Sequence, residues 1–185
     1  MARMAGALGM DLETFTSRYQ EQRGPYDRGD LDPLDYWSRV APAHAALDHL
    51  LVDTLRQWDV EMWCDINHDM VAWLIAVRAA GFKTALLSNM HPDMALYARR
   101  CFDWLRHLDA QILSCELHLV KPEPAIYLRC LEQLALQPCQ ALFIDDREAN
   151  VRAATHAGLI ALRFETIESL RSQLAALGFP VLPKA

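Results

Sequence analysis

Ala141-Leu142-Phe143-Ile144-Asp145-Asp146 is the stretch whose reading decides the fold. Four apolar residues in a row, two of them β-favouring Phe and Ile, describe a buried strand. The strand runs straight into two adjacent carboxylates, which repel each other unless a cation or a lysine neutralises them. Hard oxygen ligands of this kind suit magnesium, commonly held by one or two carboxylates together with substrate phosphate. A turn followed by a helix cap is the plainer alternative, but an apolar strand ending in paired aspartates is a costly way to build one. Asn150 follows four positions after Asp146.

Working outward, the pattern alternates. Downstream, a helix is predicted over Glu148 to His156, with a stop at Gly158, then a strand over Leu159 to Arg163 and a helix over Thr166 to Leu177. Upstream, a helix through Met70, Trp73, Leu74 and Val77 ends at Gly81, where a left-handed cap suits glycine. A strand at Lys83 to Leu87, a helix at Met94 to Leu105, a short strand at Gln111 to Leu113 and a helix starting at Pro122 complete the series. Strands alternating with helices imply a Rossmann-like α/β fold, a parallel sheet wrapped by helices. Before Asn67 the texture changes. Leu12, Phe15 and Tyr19, then Leu34, Trp37 and Val40, then Leu47, Leu50, Leu51, Leu55 and Trp58 fall at helical spacing, with breaks expected at Gly24-Pro25 and at Asp30 to Pro33. The division predicted is a helical region at 1–66 and an α/β core at 67–185.

In a parallel sheet, ligands bind beyond the carboxyl ends of the strands. Ser88 and Asn89 follow the first strand, and His91-Pro92 opens a helix; hydroxyl, amide and free helix N–H groups together make an anion cradle. Simple helix capping explains the same residues. Lys121 stands before Pro122 near a predicted helix start, where the helix dipole disfavours a cation unless an anion shares the site. A solvated lysine is the plain alternative.

Taken together, Leu86-Leu87-Ser88-Asn89, Lys121-Pro122-Glu123-Pro124-Ala125-Ile126-Tyr127 and Phe143-Ile144-Asp145-Asp146 with Asn150-Val151 resemble motifs II, III and IV of the haloacid-dehalogenase-like (HAD) hydrolases. The resemblance implies a magnesium-dependent phosphatase acting on a small phosphorylated metabolite. It gives Ser88 and Lys121 catalytic roles, Ser88, Asn89 and Lys121 the phosphate, and Asp146 the Mg2+ ion directly with Asp145 in support. Tyr26-Asp27-Arg28-Gly29-Asp30-Leu31 followed by Tyr36-Trp37 is similar to a recurrent sequence in the small helical cap of the subfamily that includes sugar-phosphate phosphatases and the phosphatase half of bifunctional epoxide hydrolases. Cap residues choose the substrate, and Arg23, Tyr26 and Trp37 are candidates for that surface.

One part of the family pattern is not matched. The family begins with a strand ending in Asp-x-Asp, whose first aspartate attacks phosphorus. Asp30-Leu31-Asp32 follows Arg28-Gly29 with no apolar strand before it and belongs to the cap match. The expectation is a start at an internal methionine, with the central strand and nucleophile absent and turnover lost; removing a nucleophile costs roughly a million-fold in a well-studied protease. A non-catalytic phosphate-binding protein is the alternative. A response-regulator receiver fails on order, because its lysine should follow the acidic pair.

Composition sets the outer bounds. A net charge of -6 lacks the basic stripe of a nucleic-acid grip. No apolar run approaches a membrane span, and the short apolar Met1 to Met10 is followed by acidic helix-forming sequence rather than a cleavage region, so cytoplasm is expected. The five cysteines show no CxxC spacing and read as buried or half-buried free thiols. A homodimer is compatible with this reading.

Overall fold

The computed structural model describes residues 1–184. Its helices are α1 (Ala2–Ala7), α2 (Leu12–Arg28), α3 (Pro33–Val40), α4 (His49–Glu61), α5 (His68–Ala79), α6 (Pro92–Cys101), α7 (Ser114–Leu117), α8 (Pro124–Leu134), α9 (Glu148–His156) and α10 (Ile167–Ala176). Its strands are β1 (Ala85–Ser88), β2 (Ala110–Leu113), β3 (Leu142–Asp145) and β4 (Ile160–Arg163). They form two compact units: Met1–Asp65 with Asn89–Cys101 and Ser114–Val120, and Ile66–Ser88 with Phe102–Leu113 and the chain from Lys121 onward.

The first unit is all helical. Asp11, Asp32 and Asp48 start α2, α3 and α4 by accepting hydrogen bonds from the backbone N–H groups of Thr14, Asp35 and Leu51. The break expected at Gly24-Pro25 is not there: α2 runs through both residues. Pro25 forfeits one intrahelical bond, but the continuing turn buries Tyr26 completely and closes at Gly29, whose φ of 81° is left-handed. A Cβ at Gly29 would lie 2.7 Å from the Cys115 carbonyl oxygen, so both conformation and space demand glycine. The core gathers Phe15, Tyr19, Tyr26, Tyr36, Trp37, Val40 and Leu55. Leu50, placed in the apolar stripe of α4 by its spacing, is instead 77% exposed; the helix buries Val52, Leu55 and Val60, a face turned away from it.

The second unit is the α/β part. β1 pairs with β2 in parallel, Ala85 opposite Ala110 through Ser88 opposite Leu113. β3 pairs with β4 in parallel, Leu142 opposite Ile160 through Asp145 opposite Arg163. Among the described residues β1 and β3 share no ladder, so the strands form two separate pairs. Which edge is bare follows from alternation along a strand. The Thr84 carbonyl accepts from Ala110 at the start of β2, so the Leu87 carbonyl points away from β2. The Ala141 and Asp145 carbonyls accept from Ile160 and Phe164, so those of Leu142 and Ile144 point away from β4. β1 and most of β3 are accordingly half-buried, not fully buried as their apolar sequences predict, whereas Ala110, Ile112 and Leu113 of β2 are buried.

Leu142 and Ile144 of β3 pack against Trp73, Val77, Leu170 and Leu174 of α5 and α10. Phe143, on the opposite face, meets Tyr127 of α8 edge-on at 5.3 Å. α5 starts at the Asn67 cap and gives way to a left-handed Gly81, as the sequence indicates. Two boundaries differ from expectation. The helix expected from Pro122 begins at Pro124, because Glu123 precedes a proline and is held extended (ψ 131°). The helix expected to reach Leu105 ends at Cys101 and passes into a 3-10 turn at Asp103–His107. Among the described residues no helix is long and apolar enough to cross a membrane. All five cysteines are free thiols, but Cys101 and Cys139 are exposed where burial was expected.

Candidate functional site

Lys121 and Asp145 form the centre of the second unit's chemistry. The Lys121 Nζ donates to Asp145 Oδ2 at 2.7 Å and to the Leu87 carbonyl at 2.9 Å. That carbonyl lies on the bare edge of β1, so one ammonium group spans from β1 to the end of β3. The pair is well buried, with side-chain exposures of 11% and 6%. The other carboxylate oxygen, Asp145 Oδ1, accepts from the Arg147 backbone N–H at 2.9 Å and from Asn150 Nδ2 at 2.8 Å. Asn150 is itself anchored, because Tyr127 donates its hydroxyl to the Asn150 carbonyl at 3.0 Å. Burial, and then the negative charge of Asp145, push the Tyr127 phenol up to about 12, so it stays a donor at neutral pH. The Phe143 ring lies 5.7 Å from the Lys121 ammonium and adds a weak cation–π contact.

The roles within the acidic pair divide by exposure. Asp145 is buried with both oxygens engaged, whereas Asp146 is exposed and its backbone carbonyl accepts from Arg163. Ser88 ends β1, one residue beyond the carbonyl that Lys121 holds. Asn89 begins the segment that belongs to the first unit. Lys121, Asp145 and Asn150 are therefore brought together, with Ser88 and Asp146 at the neighbouring strand ends. Among the described residues no group of three or more His, Cys, Asp or Glu side chains is placed to hold a metal. One exposed carboxylate beside a lysine-neutralised one does not by itself make a magnesium site, which needs six oxygens in octahedral array.

Candidate substrate-selecting residues of the first unit are elsewhere than expected. Tyr26 and Trp37 are 0% exposed, packed inside the helical core rather than on a surface. Arg23 is drawn in with them by ion pairs to Asp27 (2.8 Å) and Asp59 (2.9 Å). The reason is charge: Asp59 is fully buried, and Arg23 and the Tyr19 hydroxyl are its hydrogen-bond partners. Asp30-Leu31-Asp32 is no strand end: Asp32 caps α3, while Asp30 lies 3.4 Å from Arg28 and 3.3 Å from His118. His91, expected to open an anion cradle, is buried, and Asp93 in the first turn of α6 is already ion-paired to Arg56 at 2.7 Å. A cavity of about 600 Å³ in the first unit, lined by Asp53, Arg56, Gln57, Asp93, Tyr97 and Arg100 among others, contains none of the predicted site residues. The contribution of Tyr127 is invisible in the sequence, since an aromatic at that position reads equally as core.

The chain matches the family model for haloacid dehalogenase-like hydrolases over residues 4–158. It is 39% identical over 79 residues to flavin mononucleotide hydrolase 1 of Arabidopsis thaliana, covering 42% of this chain and 32% of that one. It is 30% identical over 125 residues to bifunctional epoxide hydrolase 2 of Rattus norvegicus, covering 64% of this chain and 23% of that one. The chain thus spans less than half the length of either relative. Among solved structures it superposes on a HAD family enzyme of Bacteroides thetaiotaomicron, in complex with magnesium and inorganic phosphate, with TM-score 0.66, 18% identity and coverage of 84% and 87%. That likeness establishes the fold. With a family model spanning most of its length, the chain belongs to the haloacid dehalogenase-like hydrolases.

Proposed function

We propose that the second unit carries the phosphate-facing half of a magnesium-dependent phosphomonoesterase site for a small phosphorylated metabolite, and that helical residues 1–66 act as its cap over an α/β core at 67–185. The observation that carries this reading is the Lys121 ammonium held between the Leu87 carbonyl and Asp145. Two fixed acceptors hold the lysine at the ends of β1 and β3, where a positive charge stabilises a transferring phosphoryl group. Ser88 and Asn89 join it as phosphate donors. Asp146, exposed at the end of β3, is the direct magnesium ligand in this reading, and Asp145 supports it by neutralising Lys121.

In this reading the nucleophilic carboxylate is neither Asp30 nor Asp32, since Asp32 caps α3 and Asp30 lies in the turn before it. Its place in this reading is at the end of one further strand between the bare edges of β1 and β3. The carbonyls of Leu142 and Ile144, which point away from β4, support that position. In this reading turnover of phosphate esters depends on that strand, because it also supplies further magnesium oxygens.

Two measurements test the reading. Phosphate titrated by calorimetry should bind wild type several-fold more tightly than Lys121→Met; equal affinities would remove the lysine from the site. An extension of roughly 15–25 residues carrying a strand and Asp-x-Asp should raise the melting temperature and give magnesium-dependent hydrolysis of an aryl phosphate. A gain in stability without hydrolysis would favour a phosphate-binding protein instead.

A further inference from the structure

The cavity of the first unit has no part in the phosphatase reading, whose residues Ser88, Asn89, Lys121, Asp145 and Asp146 are all absent from its lining. Its two walls are helix faces. Asp53, Arg56, Gln57 and Val60 fall at i, i+3, i+4 and i+7 on α4, and Asp93, Leu96, Tyr97 and Arg100 repeat the same spacing on α6. That spacing commonly turns an apolar stripe toward a core. Here both stripes carry charge, and they enclose about 600 Å³, the size of a small-metabolite site.

The charges are separated along the cavity. At one end Arg56 pins the walls together, donating from Nη2 and Nε to the two Asp93 oxygens at 2.7 and 2.8 Å and from Nη1 to Asp53 Oδ1 at 2.9 Å. One guanidinium there faces two carboxylates, which leaves that end with negative charge in excess. Glu61, the remaining carboxylate of the lining, is answered by Arg3 at 3.2 Å and by the Gln57 amide at 3.0 Å. Arg100 is different: it is exposed, and among the described residues it has no hydrogen bond or ion pair. It stands two turns beyond Asp93, about 10 Å along the helix. Between these poles Leu96 is 51% exposed, with Val60 on the opposite wall.

We propose that this cavity binds a small zwitterion with an apolar body, its carboxylate on Arg100 and its ammonium on Asp53 beside the Arg56–Asp93 pair. The guanidinium fork matches a carboxylate in shape as well as charge. Leu96 and Val60 take the apolar body. A ligand with a single charge satisfies only one pole, so the two ends together select for both charges. The bidentate pair between the walls is already made without ligand, which lowers the ordering cost of binding.

The test titrates the full chain with ω-aminooctanoate, a flexible chain bearing an ammonium at one end and a carboxylate at the other, and follows binding by NMR. Saturable shifts should appear, with octanoate and octylamine each binding at least several-fold more weakly. Arg100→Gln and Asp53→Asn should each weaken the zwitterion several-fold while melting within a few degrees of wild type, since both side chains are exposed. Arg100→Glu should reverse the preference, so that octanediamine binds more tightly than ω-aminooctanoate. Lys121→Met should leave all of these affinities unchanged, which keeps the result separate from the phosphatase reading. Absence of saturable binding, equal affinity for octanoate and the zwitterion, or indifference to either Arg100→Gln or Asp53→Asn would overturn the proposal.

Discussion

Acidifying the protein should expose the condition of His91. The ring is fully buried in the first unit, stacked 4.8 Å from Tyr26, which is itself stacked 4.0 Å from Tyr36. Among the described residues neither ring nitrogen has a hydrogen-bond partner, and Nε2 lies 3.5 Å from Asp59 Oδ2, close enough for attraction only. Burial disfavours the imidazolium most; Asp59 and Asp93 partly oppose it, while Arg23 and Arg56 reinforce it. The outcome is a pKa pushed down to about 4 from an ordinary 6.5. Between those values the unfolded chain binds the proton that the folded chain refuses, so stability rises with pH across that window and is flat on either side. At about 1.4 kcal/mol per pH unit, roughly 3 kcal/mol should be lost between pH 6.5 and pH 4. Carboxylates titrate in the same range, so the decisive quantity is the difference between wild type and His91→Leu in urea unfolding. At pH 7 the two should be within about 1–2 kcal/mol, because leucine loses the stack but leaves no unpaired ring nitrogen. At pH 4 the variant should have gained roughly 3 kcal/mol relative to wild type. Parallel stability curves from pH 7 to pH 4 would refute the reasoning.

Three further outcomes are expected. Gly29→Ala should destabilise by about 2 kcal/mol or more, since a left-handed backbone costs a side chain about 1–2 kcal/mol and the new Cβ must push back the Cys115 carbonyl; urea unfolding reads this directly. Arg23→Met should cost about 3–5 kcal/mol by leaving the buried Asp59 charge without its guanidinium, and a fall in melting temperature would separate this structural role from substrate selection. Millimolar magnesium should move the melting temperature of the chain by little, because Asp146 supplies one exposed carboxylate and stabilisation grows only with the logarithm of ligand over dissociation constant; a shift of many degrees would show a complete metal site.

The parts of this molecule legible in its sequence are those governed by local rules. The apolar runs at β1 and β3, the helix stop at Gly158 and the break at Asp30 to Pro33 each declare themselves within a few residues, and the structure follows them. The strand-end positions of Ser88 and Asp145 follow from the same local reading. What escaped depends on neighbours distant in sequence. Gly24-Pro25 has the chemistry of a break, yet burial of Tyr26 and Tyr36 outweighs one lost helical hydrogen bond. Arg23, Tyr26 and Trp37 have the character of a binding surface, yet the buried Asp59 and the aromatic stack draw them inward. The engagement of Asp145 Oδ2 by Lys121, and the anchoring of Asn150 by Tyr127, could not be read locally either, because Lys121 and Tyr127 lie at least 18 residues from Asp145 in sequence.

The separation of the four strands into two ladders bears on how the chain reaches its native state. Each ladder joins strands flanking a single crossover, so each closes a short loop and can form early, without waiting for the other. Communication between the ladders then falls to the Lys121 bridge and to α8, which packs on β1 and β2 and reaches β3 through Tyr127. Such a molecule should open as two cooperative blocks rather than one. The amides of β1 and β2 would exchange with solvent on one timescale and those of β3 and β4 on another. Losing the Lys121 ammonium would widen the difference between them.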